Sequence, residues 1–134
     1  MILKKSLKIK TTKRKEIIDI TEEVQSYFTV TNIEDGLVNV FILHTTAAVT
    51  TADLDPGTDE DMLDAFETIV PKLNYRHPHN PAHAGDHIMS SLIGSSVTVP
   101  VEDGELQLGT WQWIVLVELD GPRERNIILT FIKS

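Results

Sequence analysis

The sequence predicts an α+β protein in a single domain, 1–134, with a mostly antiparallel sheet and two to three helices. Three observations carry that expectation. Short apolar, β-branched runs recur between turn signals. Two stretches, 59–71 and 82–92, place apolar residues at helical spacing. The order is strands, one helix, a strand, two helices and then three strands, which does not alternate strand and helix as a parallel fold would. A chain of 134 residues suits one domain.

Residues 2–10 set Leu3, Leu7 and Ile9 against Lys4, Lys8 and Lys10, the pattern of a half-buried strand. Lysine on its outer face suits a sheet edge, because it discourages pairing with another chain. Residues 16–20 predict a second strand. Thr21 then stands as an N-cap, with Glu22 and Glu23 in the first turn, where the helix dipole favours anions. That helix carries Val24, Tyr27 and Phe28 inward and ends near Asn32. Residues 37–43 are apolar except for Asn39, which predicts a strand buried on both faces. His44 follows it, either as a satisfied core histidine or as a site residue, and residues 45–51 continue with small and β-branched side chains.

Thr58 is the expected N-cap of a helix over 59–71, with Asp61 at the capping-box position. Met62, Phe66, Ile69 and Leu73 form its apolar stripe. Pro78 and Pro81 keep 74–81 irregular. The helix over 82–92 carries Ala84, Ile88 and Leu92 on its apolar side and ends at Gly94. A strand over 97–101 leads to a hairpin turn at Glu102-Asp103-Gly104, and Leu106 and Leu108 begin the next strand. The chain is organised around 104–125. Its apolar run, 113–117, is bounded by Gly109-Thr110 and Asp120-Gly121-Pro122, and with the run 126–132 it predicts a second hairpin.

Charge and composition exclude several roles. Twenty acidic residues against twelve Lys and Arg give a net charge of −8, which disfavours nucleic acid as a partner. With no cysteine, disulfide and thiolate chemistry are absent. The longest apolar run, 113–117, is far short of the ~20 residues a membrane span needs. The N-terminal residues carry no secretory pattern, so a cytoplasmic protein is expected. No dinucleotide fingerprint or glycine-rich phosphate loop calls for an organic cofactor.

The polar residues that invite chemistry fall in three groups. Asp53, Asp55, Asp59, Glu60 and Asp61 could bind a hard cation such as Mg²⁺, although dipole complementation accounts for Asp59 and Glu60. Four of the five histidines, His77, His79, His83 and His87, lie within 77–87. His83 and His87 are spaced i, i+4, which suits one zinc ion, or simply a polar surface. No Glu follows His83, so a zinc peptidase is not expected. Arg123 and Arg125 lie on one face of an extended chain, either as a fork for carboxylate or phosphate or as ordinary surface arginines. Trp111 and Trp113 share a face and suit a core or a subunit interface better than a base-stacking platform.

The string Leu108-Gly-Thr-Trp-Gln112, then Glu118, then Asp120-Gly-Pro-Arg-x-Arg125 resembles the YjbQ-like family, a group known as secondary thiamine-phosphate synthases. His44-Thr-Thr-Ala-Ala48, Asp55-Pro56 with Asp61, Tyr75-Arg-His77, His87, Gly94-x-Ser96 and Val99-Pro-Val101-x2-Gly104 extend the likeness over roughly 37–131. Two departures are visible. Ala52-Asp53-Leu54 stands where the family often has Asn-Glu-Asn, and His83 stands where it has Asn.

The resemblance implies a transferase that joins a pyrimidine-methyl pyrophosphate to a thiazole phosphate. It implies His44, Asp61, His87 and Gln112 as catalytic, and Thr110, Arg123 and Arg125 as substrate-binding. It implies a divalent metal, Zn on His44, His77 and His87 or Mg on Asp53, Asp55 and Asp61, in a homotrimer that takes a small phosphorylated metabolite. The rival expectations are a metal-dependent hydrolase of such a metabolite and a non-enzymatic trimeric binder of one.

Overall fold

In a computed structural model, which describes residues 1–31, 34–78 and 80–134, the strands form two antiparallel sheets. The elements are β1 (Ile2–Lys10), β2 (Glu16–Asp19), α1 (Thr21–Thr31), β3 (Gly36–Ile42), β4 (Ala47–Ala52), α2 (Thr58–Ile69), a 3₁₀ turn (Pro81–His83), α3 (Ala84–Ile93), β5 (Ser96–Glu102), β6 (Glu105–Leu106), β7 (Trp113–Glu118) and β8 (Glu124–Lys133). One sheet has the order β1-β8-β3-β5-β6 and the other β2-β7-β4. The fold class is α+β in one domain, as the sequence predicts. Asn32, the expected end of α1, and His79 lie outside the described residues.

The layers follow from which face each strand buries. Val38, Val40 and Ile42 of β3, Ile127, Leu129 and Phe131 of β8, and Ile114 and Leu116 of β7 meet in one core between the sheets, closed by Val24 and Phe28 of α1. Val115 and Val117 point the other way from β7 and pack with Ala48 and with Met89 of α3 in a second core. β7 is therefore covered on both faces, which accounts for its unbroken apolar run.

Four local expectations are corrected. The second hairpin does not form: β7 lies in the middle of the three-stranded sheet and β8 between β1 and β3 in the other. Residues 119–123 cross from one sheet to the other, since β7 needs β2 and β4 on its two edges. β3 is buried on one face only, leaving Leu37 and Phe41 exposed on the other. α2 carries no fully buried residue, and Ile69 and Leu73 are exposed. α3 turns Asp86, Met89 and Ser90 inward, not Ile88 and Leu92, because Ser90 Oγ donates to the Ala47 carbonyl at 2.7 Å and pins that face to β4.

The caps differ too. Gly57, at φ 90°, is the N-cap of α2 and makes no side-chain capping bond, so the Thr58–Asp61 box is not made. Thr21 Oγ1 accepts from Ile114 N at 2.9 Å, and Asp19 Oδ1 accepts from Thr21 N at 2.9 Å. The turn at Asp103 and Gly104 forms as expected, with φ of 51° and 76°.

Candidate functional site

The cleft is built where two connections meet. Residues 43–46 join β3 to β4, and residues 119–123 cross from β7 to β8. Leu43 N donates to Asn126 O at 3.0 Å and Leu119 N to Thr46 O at 3.1 Å, which ties the two together. The start of α3 closes the third side. The cavity is about 690 Å³ and is lined by His44, Thr46, His83, His87, Asp120 and the arginines Arg123 and Arg125.

Its floor is a buried ion pair. Glu118 is 0% exposed and Arg125 1%. Arg125 Nε donates to Glu118 Oε1 at 2.8 Å, and Arg125 Nη2 donates to Glu118 Oε2. Thr11 Oγ1 donates to Glu118 Oε1 at 2.7 Å, and the Leu119 and Asp120 amides donate to Oε2 at 3.0 and 3.2 Å. Arg125 Nη2 also reaches Thr46 O and Oγ1 at 3.1 and 2.9 Å. Two charges can stay in a dry interior only when hydrogen-bonded in this way.

Above the floor, Asp120 is ringed by basic side chains. Arg14 Nη1 donates to it at 2.9 Å, Arg123 Nη2 at 3.1 Å, and His83 Nδ1 stands 3.4 Å from its Oδ2. Arg14 also bonds the buried Asp86, at 3.2 Å, so one side chain links both acids. His44 is fixed differently. Its Nε2 accepts from the Asn126 amide at 2.9 Å, which places the ring proton on Nδ1. Burial, with the Arg125 and then the Arg123 guanidinium, holds the imidazole below the usual histidine range, against an opposing pull from Glu118. The His77 and His87 rings pack at 4.7 Å between centroids.

The structure divides the expected site. His44, His87, Arg123 and Arg125 line the cleft, with His77 against His87. Thr110 and Gln112 do not join them. They lie with Asp53 and Trp111 in a shallow pocket at the other end of the β4–β7 pair. The pair runs from Ala47 opposite Glu118 to Ala52 opposite Trp113, which separates its two ends by roughly 17 Å at the usual strand rise. Gln112 Nε2 donates to Thr51 Oγ1 and its Oε1 accepts from Gly109 N, so it shapes its own loop. Asp61 is exposed on the first turn of α2 and lines none of these pockets. Arg125 and Arg123 are not an equivalent fork: Arg125 lines the cleft but commits its Nε and Nη2 to Glu118 and Thr46, whereas Arg123 is exposed.

The expected metal ligands do not fit as a set. Among the described residues no group of three or more His, Asp or Glu side chains is gathered tightly enough to hold an ion. His44 is the physical reason: with Nε2 accepting a backbone N–H, its other nitrogen carries a proton and is a donor. Sequence reasoning quoted Glu118 and Asp120 only as letters of the family-like string and gave neither them nor Arg14 a place in the site. Glu118 had a signal, since a carboxylate inside the apolar run Ile114 to Leu119 demands a buried cation. Arg14 had none, being one of three consecutive basic residues, Lys13 to Lys15.

The sequence profile of the family described as UPF0047 protein YjbQ-like matches residues 5–134. The chain belongs to this family. A UPF0047 protein of Archaeoglobus fulgidus is 44% identical over 124 residues, covering 92% of this chain and 96% of that one. The UPF0047 protein YugU of Bacillus subtilis is 43% identical over 123 residues, covering 91% and 93%. A crystal structure of a YbjQ-like protein from Sulfolobus solfataricus superimposes with a TM-score of 0.93 at 31% identity, covering 100% of this chain and 99% of that one.

These matches overturn one expectation. The family description assigns no reaction, and the Sulfolobus protein is described as one of unknown function. Thiamine-phosphate synthase activity is not supported for this chain. Nor is the apparatus for it assembled. Asp53, Asp55 and Asp61, the residues expected to hold Mg²⁺ for it, do not line the arginine-bearing cleft. No helix among the described residues is long and apolar enough to cross a membrane.

Proposed function

We propose that the cleft binds the anionic end of a small phosphorylated metabolite and moves a proton on it without a resident metal. The observation that carries this reading is the His83–Asp120 pair, with Nδ1 3.4 Å from the carboxylate. A carboxylate this close to Nδ1 favours the proton there and leaves Nε2 as a base; at 3.4 Å a small turn of the ring closes the pair into the arrangement of an oriented acid–base histidine. His44 supplies the complementary group. It stays neutral, and its Nδ1–H offers a hydrogen bond to an oxygen that gains charge. Arg123, exposed at the rim and anchored by Asp120, receives the anion.

The protein works, in this proposal, as a homotrimer in the cytoplasm. Support comes from the outer face of the five-stranded sheet. There Ile2, Ile132, Leu37 and Pro100 stand in one row across four strands, and Ile128 and Phe41 in another. Apolar rows on an open sheet are what a neighbouring subunit covers.

The test is a titration with inorganic phosphate and phenyl phosphate, followed by calorimetry and by the ring-proton NMR signals of the histidines. Saturable binding that shifts His44 and His83 is expected, weakened at least tenfold by Arg123→Ala. No saturable heat and unmoved histidine signals would overturn the proposal.

A further inference from the structure

On the far side of α3 from the cleft lies a second cavity of about 460 Å³, between α2 and α3. The first turns of α3 divide the two. His83 and His87 face the cleft, while Ala82, Gly85 and Met89 face this cavity. Its floor is apolar: Leu63, Phe66 and Val70 from α2 and the segment after it, Met89 from α3, and Leu119 from the crossover. Phe66 and Val70 pack against the second core but are only half-buried. Apolar surface left wet in this way costs roughly 25 cal/mol per Å², and an interior of ordinary packing would not leave it.

The rim has the opposite character. Arg14 and Lys15 stand on one side and the exposed Lys72 on the other, facing Glu67 and the buried Asp86. Asp86 is 5% exposed and already engaged, accepting from Arg14 at 3.2 Å and Lys15 at 3.4 Å. Glu67 stands 4.0 Å from Lys15. The rim is thus net positive in a chain of net charge −8. Arg14 is exposed too but is engaged by Asp86 and Asp120, whereas Lys72 is exposed beside the apolar floor.

We infer that this cavity is a second binding site, for a small amphipathic anion: an aromatic or medium-chain aliphatic carboxylate. Its apolar body lies on Phe66, Val70, Met89 and Leu119, and its carboxylate reaches Lys72. The volume falls in the range of small-molecule sites, and an apolar lining with a few polar groups is their usual make-up. Gly85 lines the cavity on the α3 side. A Cβ there would meet Val70 Cγ1 at 3.7 Å, an ordinary contact, so alanine is tolerated, whereas a longer side chain enters the space.

The test uses naphthalene-2-carboxylate as the probe, with 2-naphthylmethylamine as its cationic counterpart. Binding is measured by calorimetry and located by backbone amide shifts. The carboxylate is expected to bind saturably and to shift Phe66, Val70, Gly85 and Met89, and the amine to bind at least tenfold more weakly. Lys72→Glu, a surface change, weakens the carboxylate at least fivefold. Gly85→Leu abolishes binding while Gly85→Ala leaves it within twofold, with circular dichroism confirming that both fold. Equal affinity for acid and amine, retained binding in Gly85→Leu, or shifts confined to Trp111, Trp113 or the outer sheet face would overturn the proposal. So would an absence of binding together with a changed oligomeric state in Gly85→Leu, which would assign the cavity to a second copy of the chain.

Discussion

Glu118 and Arg125 sit in different sheets and hold each other in the dry interior, with every oxygen of the carboxylate bonded. Removing one partner leaves the other charged and buried. Glu118→Gln is therefore expected to lower stability by about 3–5 kcal/mol. The double variant Glu118→Leu/Arg125→Met loses much less than the two single changes added together, because no lone charge remains. Chemical denaturation of the wild type, Glu118→Leu, Arg125→Met and the double variant measures this coupling. Additive losses would show that the pair contributes little as a pair.

Gly121 makes the crossing between sheets sterically possible. A Cβ there would run into the Lys13 backbone oxygen and stand 2.8 Å from Glu118 Cγ and 2.8 Å from Thr11 Oγ1, the last two held in the same buried network. Gly121→Ala is expected to cost about 1–3 kcal/mol, the usual range for overpacking. Gly109→Ala serves as the control, since its Cβ would meet Gln112 Oε1 at an ordinary 3.5 Å. Thermal unfolding of both variants checks the contrast, and an unchanged Gly121→Ala protein would remove the steric argument.

These two positions show what the sequence made legible. Periodicity located most elements, because alternation in β1 and β5 and helical spacing in α1 reflect burial on one side. It failed where burial depended on the partner. β7 and β8 looked like a hairpin because a turn signal, Asp120-Gly121-Pro122, stands between two apolar runs, but a turn signal does not say which sheet comes next. For the same reason Arg125 looked free. Its spacing from Arg123 was visible, while Glu118 seven residues earlier became its partner only through the crossing. Of the expected site, His44, His87 and Arg123 converge because they lie on the two connections that meet and on the start of α3 beside them. Thr110 and Gln112 are adjacent in the sequence motif yet stand at the far end of β7.

The His44 imidazole gives the protein a pH signature. Its folded pKa is lowered by burial and by Arg125 and Arg123, below an unfolded value of about 6.5. Between the folded and unfolded values the unfolded chain binds the extra proton, so stability rises with pH there. The contribution is fully present above about pH 6.5 and is lost as pH falls through the folded pKa. Below that window protonation would also break the bond from Asn126 N to Nε2. His44→Gln can keep an acceptor for that amide but does not titrate. The wild type is expected to lose more stability than His44→Gln between pH 7.5 and pH 5, measured by urea unfolding at each pH. Parallel losses would sink this account of His44.

The exposed face of β3 carries the proposed assembly. Leu37 is 44% and Phe41 39% exposed, yet their neighbours across the sheet, Ile132 and Ile128, are apolar as well. Asn39 breaks the rows and is satisfied within them, donating to Thr98 Oγ1 at 3.1 Å. A lone exposed leucine needs no explanation, but rows spanning several strands do. Lysine at such a position would have to be buried unpaired in the assembly, at a cost far above what one face can offset. Phe41→Lys is expected to convert a trimer into a monomer of 15.0 kDa without unfolding it, because Phe41 lies outside both cores. Sedimentation equilibrium decides the matter. A wild-type protein that sediments as a monomer removes the trimer, and a Phe41→Lys protein that stays trimeric moves the interface to another face.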